Sequence, residues 1–214
     1  MTAITRTAPR RPNDWARRAG IVQDALLITV SALFAYVHVQ RILDGHVSSA
    51  FFAIEQGMLV WMFLTRRRTN TTSTRPMDWV VAAIGGWLPL AVRPSDAAGT
   101  LLESIGTGVQ LGGLLLVIVG FSYLGRSFGV VAANRGVKVN GPYRLVRHPI
   151  YFAHFVTVSG FVLANPGALN LGILLVATTF QMLRIRAEER VLSQSGDYQS
   201  YQEVVRWRLL PGVF

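Results

Sequence analysis

Long uninterrupted apolar runs constrain this chain most, because a run of about 20 apolar residues can be hidden only inside a bilayer or a very large core. Six such runs are legible in the 214 residues: Ile21 to Leu43, Val47 to Leu64, Asp78 to Val92, Leu101 to Leu124, Ile150 to Ala164 and Ala168 to Ile185. The third and fifth are short, and the third carries Gly85, Gly86 and Pro89, so either is expected to be tilted, broken or only partly crossing. Lipid offers no partner to backbone amides, so runs of this kind form helices. The pattern predicts an all-α protein, a polytopic transmembrane helical bundle of five to six spans.

Charge gives the expected orientation. Lys and Arg number 21, with five before the first run, four between Arg66 and Arg75, five between Arg126 and Arg147, and five from Arg184 onward. Only Arg41 and Arg93 fall on the opposite side. By the positive-inside rule both termini and the loop before residue 149 are expected to be cytoplasmic. The net charge of +10 is accounted for by this topology and by attraction to anionic membrane lipids, so it does not point to nucleic acid. Residues 1–20 are basic and Pro-containing and precede a run too long for a signal peptide, so they read as a disordered cytoplasmic tail.

Several chemistries are absent at the outset. With no Cys, the chain has neither disulfides nor a thiolate metal site nor a cysteine nucleophile. No metal site is expected elsewhere. Neither a strand-linked GxGxxG nor GxxxxGK[ST] occurs, so a nucleotide-like cofactor would need another architecture. No internal repeat of the transporter kind is evident. Chemistry-bearing residues become dense only after Gly125, dividing the chain near residue 100 into N-terminal spans (21–100) and a C-terminal region (101–214) within one structural domain. Thr65 to Pro76 lacks apolar periodicity and reads as a connector.

The stretch Gly141 to Tyr151, GPYRLVRHPIY, sets Arg144, Arg147 and His148 before Pro149, where an apolar run begins. Pro149 lacks an amide proton, biases His148 toward extended backbone and suits the first position of a helix. The free amides near Ile150 and Tyr151, with Arg147, would bind an anion such as a carboxylate. Tyr151 and His154 share a helix face at this entrance. Taken residue by residue, Arg144 reads as a lipid-headgroup anchor, and Arg147, His148 and Tyr151 as pocket residues. A second cluster, Arg184 to Arg190 (RIRAEER), contains Glu188 and Glu189. Spacing allows intrahelical pairs, Arg184 with Glu188 and Arg186 with Glu189. The alternative is an acidic pair that holds an amine and ribose hydroxyls. Farther on, Tyr198 and Tyr201 lie one turn apart before Arg206, Trp207 and Arg208, as an amphipathic lid or an interfacial anchor would.

Three further features need an account. Gly108 and Gly112 form a small-xxx-small pair expected to let helices approach, with a cofactor-contacting Gly106-Thr107-Gly108 backbone as the alternative. Glu55 lies inside the second run and His38 near the end of the first, where a structural hydrogen bond between them is expected, a substrate role being the alternative. Glu103 is expected to be solvated.

Gly141-Pro142-Tyr143, Arg147-His148-Pro149, Tyr151, Glu188-Glu189, Leu192, Gly196, Tyr198, Tyr201 and Pro211, in this order, resemble the membrane-embedded isoprenylcysteine carboxyl methyltransferase superfamily, which includes phospholipid N-methyltransferases. The resemblance covers roughly Leu124 to Phe214. It implies S-adenosylmethionine as cofactor, bound at the cytosolic ends of the last helices by Arg147, His148, Pro149, Tyr151, Glu188, Glu189, Tyr198 and Tyr201. It further implies a lipid-like or prenylated acceptor entering from the bilayer, with Arg144, Arg184 and Glu188 as catalytic candidates. Two positions depart from the family pattern: Ala153 replaces a frequent Gly and would narrow the cofactor slot, and Ser195 replaces an aromatic packing residue. Sterol-type reductases that use NADPH resemble the same region and are one alternative; a noncatalytic membrane or transport protein is another. The acceptor, O- or N-methylation and the oligomeric state are not legible.

Overall fold

The computed structural model describes residues 14–44, 49–67, 69, 72–93, 95 and 99–213. Among the described residues seven α-helices follow one another: α1 (Asp14–Leu43), α2 (Ser49–Thr65), α3 (Pro76–Trp87), α4 (Thr100–Leu124), α5 (Pro149–Ala164), α6 (Ala168–Leu192) and α7 (Gly196–Val204). The fold is all-helical, as the apolar runs require; the one β-type pairing among the described residues is an isolated bridge between Thr72 and Ala133. Residues 14–20, expected to belong to a disordered tail, instead form the first turns of α1; the rest of that tail lies outside the described residues.

Among the described residues three segments are long and apolar enough to cross a bilayer, Arg18–Leu43, Leu101–Ser127 and Ala168–Leu192, while α2 and α5 are shorter apolar helices. The third run is broken, as its glycines and proline suggest. Pro76 starts α3 at its first turn, the α-helix spans 12 residues, and a 3-10 turn, Leu88–Ala91, carries the chain through Pro89. Leu26, Leu33, Phe34 and Val37 of α1 are exposed, which is the surface an apolar solvent would cover.

Inside the bundle, Met62, Val117, Phe121 and Ala153 pack where α2, α4 and α5 meet. The α4–α5 contact depends on glycines, though not the predicted pair. Gly108 and Gly112 face open space, whereas Gly106, Gly113 and Gly120, seven residues apart, lie against Gly160/Ala164, Thr157 and Ile150 of α5. A β-carbon at Gly106 or Gly113 would collide with α5 backbone, so the two axes can approach only because both positions lack one. Gly106 therefore packs against a helix, and none of Gly106, Thr107 and Gly108 lines the large cavity of the bundle.

The segment between α4 and α5 folds back under the N-terminal helices. Phe128 sits edge-on to Phe63 and Phe121, with ring centroids 5.1 and 5.4 Å apart, and Val130 and Val131 join Phe63 and Ala82 in a second apolar cluster. The Thr65 to Pro76 connector is pinned to it. Arg67 N–H donates to Arg126 O (2.8 Å), Ser73 N–H to Ala132 O (2.8 Å), and Arg126 Nε to Thr65 O (2.6 Å). Asp78 and Arg190 add a pairing at 3.2 Å between α3 and α6. At the other end of the bundle, Asn170 accepts from Arg93 N–H (3.0 Å) and donates to Arg93 O (2.8 Å) and Asn165 O (2.7 Å).

Candidate active site

His148 occupies the cap position of α5 and Pro149 its first turn, so the helix starts where the proline demands. What fixes this corner is the chain beyond α7, which runs back alongside it. Arg147 N–H donates to Trp207 O (2.9 Å) and His148 N–H to Arg208 O (2.8 Å). The Arg147 guanidinium is buried; its Nε donates to Glu189 Oε1 (2.8 Å) and its Nη1 to Val205 O (2.9 Å) and Arg206 O (3.0 Å). Tyr201 Oη donates to Tyr143 O (2.6 Å), tying α7 to the GPYR turn. Burial pushes the Tyr201 hydroxyl up to about 12, against the lowering influence of Arg147, so it stays a proton donor at neutral pH.

The two adjacent carboxylates have separate environments. Glu189 is buried and takes Arg147 on Oε1 and Arg208 Nε on Oε2 (2.7 Å); His148 Nε2 lies 3.3 Å from Oε1. It is not among the residues that line the large cavity beside it. Glu188 does line that cavity. It accepts a hydrogen bond from the Tyr151 hydroxyl, with His148 Nδ1 3.8 Å from its second oxygen and Arg184 Nε 3.9 Å away. Consecutive helix residues point about 100° apart, which is how one doublet serves two surroundings. The expected Arg186–Glu189 pair does not form: Arg186 is exposed, and Glu189 is claimed by Arg147 and Arg208 from distant segments.

Arg184 is buried at the same wall. Its Nε donates to Val130 O (3.0 Å), its Nη2 to Gly129 O (3.4 Å), and its guanidinium lies 5.1 Å from the centre of the Tyr151 ring. Of the expected site residues, Arg147, His148, Pro149, Tyr151, Arg184, Glu188, Tyr198 and Tyr201 all line the cavity. Arg144 is exposed and does not. Ala153 is fully buried against Met62, Val117 and Phe121, so its methyl fills core and narrows no slot. Ser195 stands at the cap of α7 and its hydroxyl donates to Leu192 O (2.9 Å), a polar contact in place of an aromatic one.

The cavity measures about 720 Å³ and extends from this charged cluster to the N-terminal helices, where Phe34, His38, Phe52 and Glu55 line it. No His38–Glu55 hydrogen bond is present. The His38 ring stacks on Phe52 at 4.9 Å with its Nδ1 unpartnered, and Glu55 is buried on the cavity wall. The two residues sit on antiparallel neighbours, but the aromatic ring one turn from Glu55 takes the contact. Gln181, with an unpartnered Oε1, and Arg135 also line the cavity. Neither stood out in the sequence, since each is a lone polar residue without a motif.

An apolar helical bundle holding a cavity whose polar, charged end meets an apolar interior defines the class: an integral membrane protein with a large internal cavity. Comparison gives a likeness to one particular family. Residues 96–196 match the model of the phospholipid methyltransferase family, which lies within the isoprenylcysteine and phospholipid integral-membrane methyltransferase superfamily. The matched stretch runs from just before α4 through α6 to the first residue of α7, just under half the chain. Methyl transfer is the activity that family carries, and S-adenosylmethionine the methyl donor it generally uses. No curated protein matches the chain.

Proposed function

We propose that this protein transfers a methyl group from S-adenosylmethionine to a lipid-like acceptor that enters the cavity from the bilayer, on the cytoplasmic side of the membrane. The observation that carries the reading is the continuity of one 720 Å³ space from the Tyr151–Glu188–Arg184 wall to the apolar faces of α1 and α2. Its size suits a cofactor and part of an amphiphile. The charge bias of the loops supports the cytoplasmic placement.

The residues present fit the cofactor. A zwitterionic methionine moiety needs an anion seat and a cation seat. The first amides of α5, at Ile150 and Tyr151, have no intrahelical acceptor, and both residues line the cavity together with His148. Glu188, oriented by the Tyr151 hydroxyl, supplies the negative side. When bound, S-adenosylmethionine brings a sulfonium-activated methyl group, so the protein itself needs no nucleophile.

The chain's own residues therefore align and enclose. Glu189 locks Arg147 and Arg208, which hold the chain after α7 across the α5 corner. Tyr198 and Tyr201, buried on α7, close the cavity on that side and exclude water. Arg184, anchored by two carbonyls and stacked on Tyr151, fixes positive charge beside Glu188. Incubating membranes that contain the protein with methyl-labelled S-adenosylmethionine is the direct test: label should appear in a lipid fraction and vanish with Glu188→Gln, while the variant keeps its thermal unfolding midpoint. Binding of NADPH without binding of S-adenosylmethionine would sink the proposal.

A further inference from the structure

Arg135 is a buried cation that forms no ion pair among the described residues. It lies in the segment between α4 and α5, its side chain is buried at 9 % exposure, and its Nε has no hydrogen-bond partner. A guanidinium carries five donors and cannot shed its charge at neutral pH, so burying one unpaired is among the costliest arrangements a fold can hold. Burial and the nearby Arg66 lower its proton affinity to about 10, which still leaves it charged.

The acids that face it are already committed. Asp24 of α1 is paired with Arg66, and Glu188 of α6 is held by Tyr151. The backbone is shaped around this guanidinium all the same: a β-carbon on residue 129 would overlap Arg135 Nη1, so Gly129 is what lets the side chain lie there. Gly129 O in turn accepts from Arg184 Nη2. Both guanidiniums thus approach the same glycine on the wall of the cavity, with Lys138 on the same lining.

We propose that Arg135, beside Arg184 across Gly129, seats an anionic oxygen group of the acceptor, a phosphodiester or a carboxylate. The proposal rests on the methyl-transfer reading for the word acceptor, but the seat itself does not. The placement favours the acceptor: besides Glu188, Arg135 faces Asp24 of α1 and Arg66 just past α2, and its segment packs through Phe128 and Val130 on Phe63 and Ala82. The α5 corner and α7, where the cofactor's own polar groups find partners, form the other flank. An anion at Arg135 would hold an amphiphile by its headgroup at the junction of the charged wall and the apolar cavity.

The test compares purified wild-type protein with Arg135→Gln and Arg135→Lys in detergent. The probes are a monoacyl phosphodiester lipid, a long-chain fatty carboxylate and an uncharged monoacylglycerol of equal chain length. Binding of each is measured directly, alongside binding of S-adenosylmethionine. Wild type should prefer one of the charged lipids to the uncharged one, and which of them it prefers identifies the anion. Arg135→Gln should weaken that lipid by roughly tenfold or more, as loss of a charge-assisted bond implies, and bring it level with the uncharged probe. Arg135→Lys should retain part of the preference. The unfolding temperature of ligand-free Arg135→Gln should stay level or rise, because the unpaired charge is gone. Unaltered lipid preference in Arg135→Gln would overturn the proposal, as would loss of S-adenosylmethionine binding with lipid binding intact. A fall in unfolding temperature without change in either ligand would assign Arg135 a structural role instead. Because these are binding measurements, Arg135-dependent lipid selectivity in a protein that transfers no methyl group would uphold the seat and reject the proposed reaction.

Discussion

Replacing Glu189 by Ala should release the C-terminal clamp while leaving the spanning bundle folded. In the native protein this carboxylate faces Arg147, whose side chain is 6 % exposed, and Arg208, whose side chain is 37 % exposed. The Arg208 contribution is discounted for solvent screening to at most about 1 kcal/mol. The Arg147 pair is the larger one: removing one partner of a buried ion pair costs about 3–5 kcal/mol, because the other charge is left behind. Arg147 keeps Val205 O and Arg206 O as acceptors, so the low end, about 3 kcal/mol, is expected. That corresponds to roughly a hundredfold rise in the population with the clamp open. Hydrogen exchange reads it directly, since the Arg147 and His148 amides bond to Trp207 O and Arg208 O and become exposed when the segment lifts. Both amides should exchange about two orders of magnitude faster, with α4 and α6 amides unchanged. If the two amides kept wild-type protection in a folded Glu189→Ala protein, the clamp would be held by something other than this carboxylate.

Two glycine substitutions should part company. Gly113→Val drives a side chain into the Thr157 backbone and is expected to cost about 1–3 kcal/mol or to separate α4 from α5, whereas Gly108→Ala, facing open space, should be neutral or stabilising by up to about 1 kcal/mol; unfolding midpoints in detergent compare them. Tyr201 predicts an alkaline limb. Its hydroxyl, ordinarily near 10, is raised to about 12 in the fold, so it stabilises the native state fully below about 10 and loses that contribution as pH rises toward about 12. Unfolding midpoints across that window should fall in wild type and fall less steeply in Tyr201→Phe.

Much of the architecture was legible because its cause is local. Spans reveal themselves by length of apolar run, the start of α5 by Pro149, and the interruption after α3 by Gly85, Gly86 and Pro89. Most residues at the charged end of the cavity were legible as well, since they cluster in two short motifs. Their division of labour was not. Sequence spacing paired Arg186 with Glu189, whereas the fold pairs Glu189 with Arg147 and Arg208, 42 and 19 positions away. Spacing likewise favoured Gly108 and Gly112, while the contact uses Gly106, Gly113 and Gly120, because only the rotation of α4 against α5 decides which face is covered.

The sequence by itself determined that this chain is a helical membrane protein with a basic, proline-initiated corner and an acidic doublet near one end of its last span, because hydrophobic length, proline geometry and charge bias act within a few residues. Tertiary structure alone decided that Glu188 faces the cavity while Glu189 ties down the chain after α7, that Arg144 is exposed, and that Arg135 stands buried with no ion pair among the described residues. These outcomes depend on which distant segments meet, and a buried charge is defined by its neighbours rather than by its position in the chain.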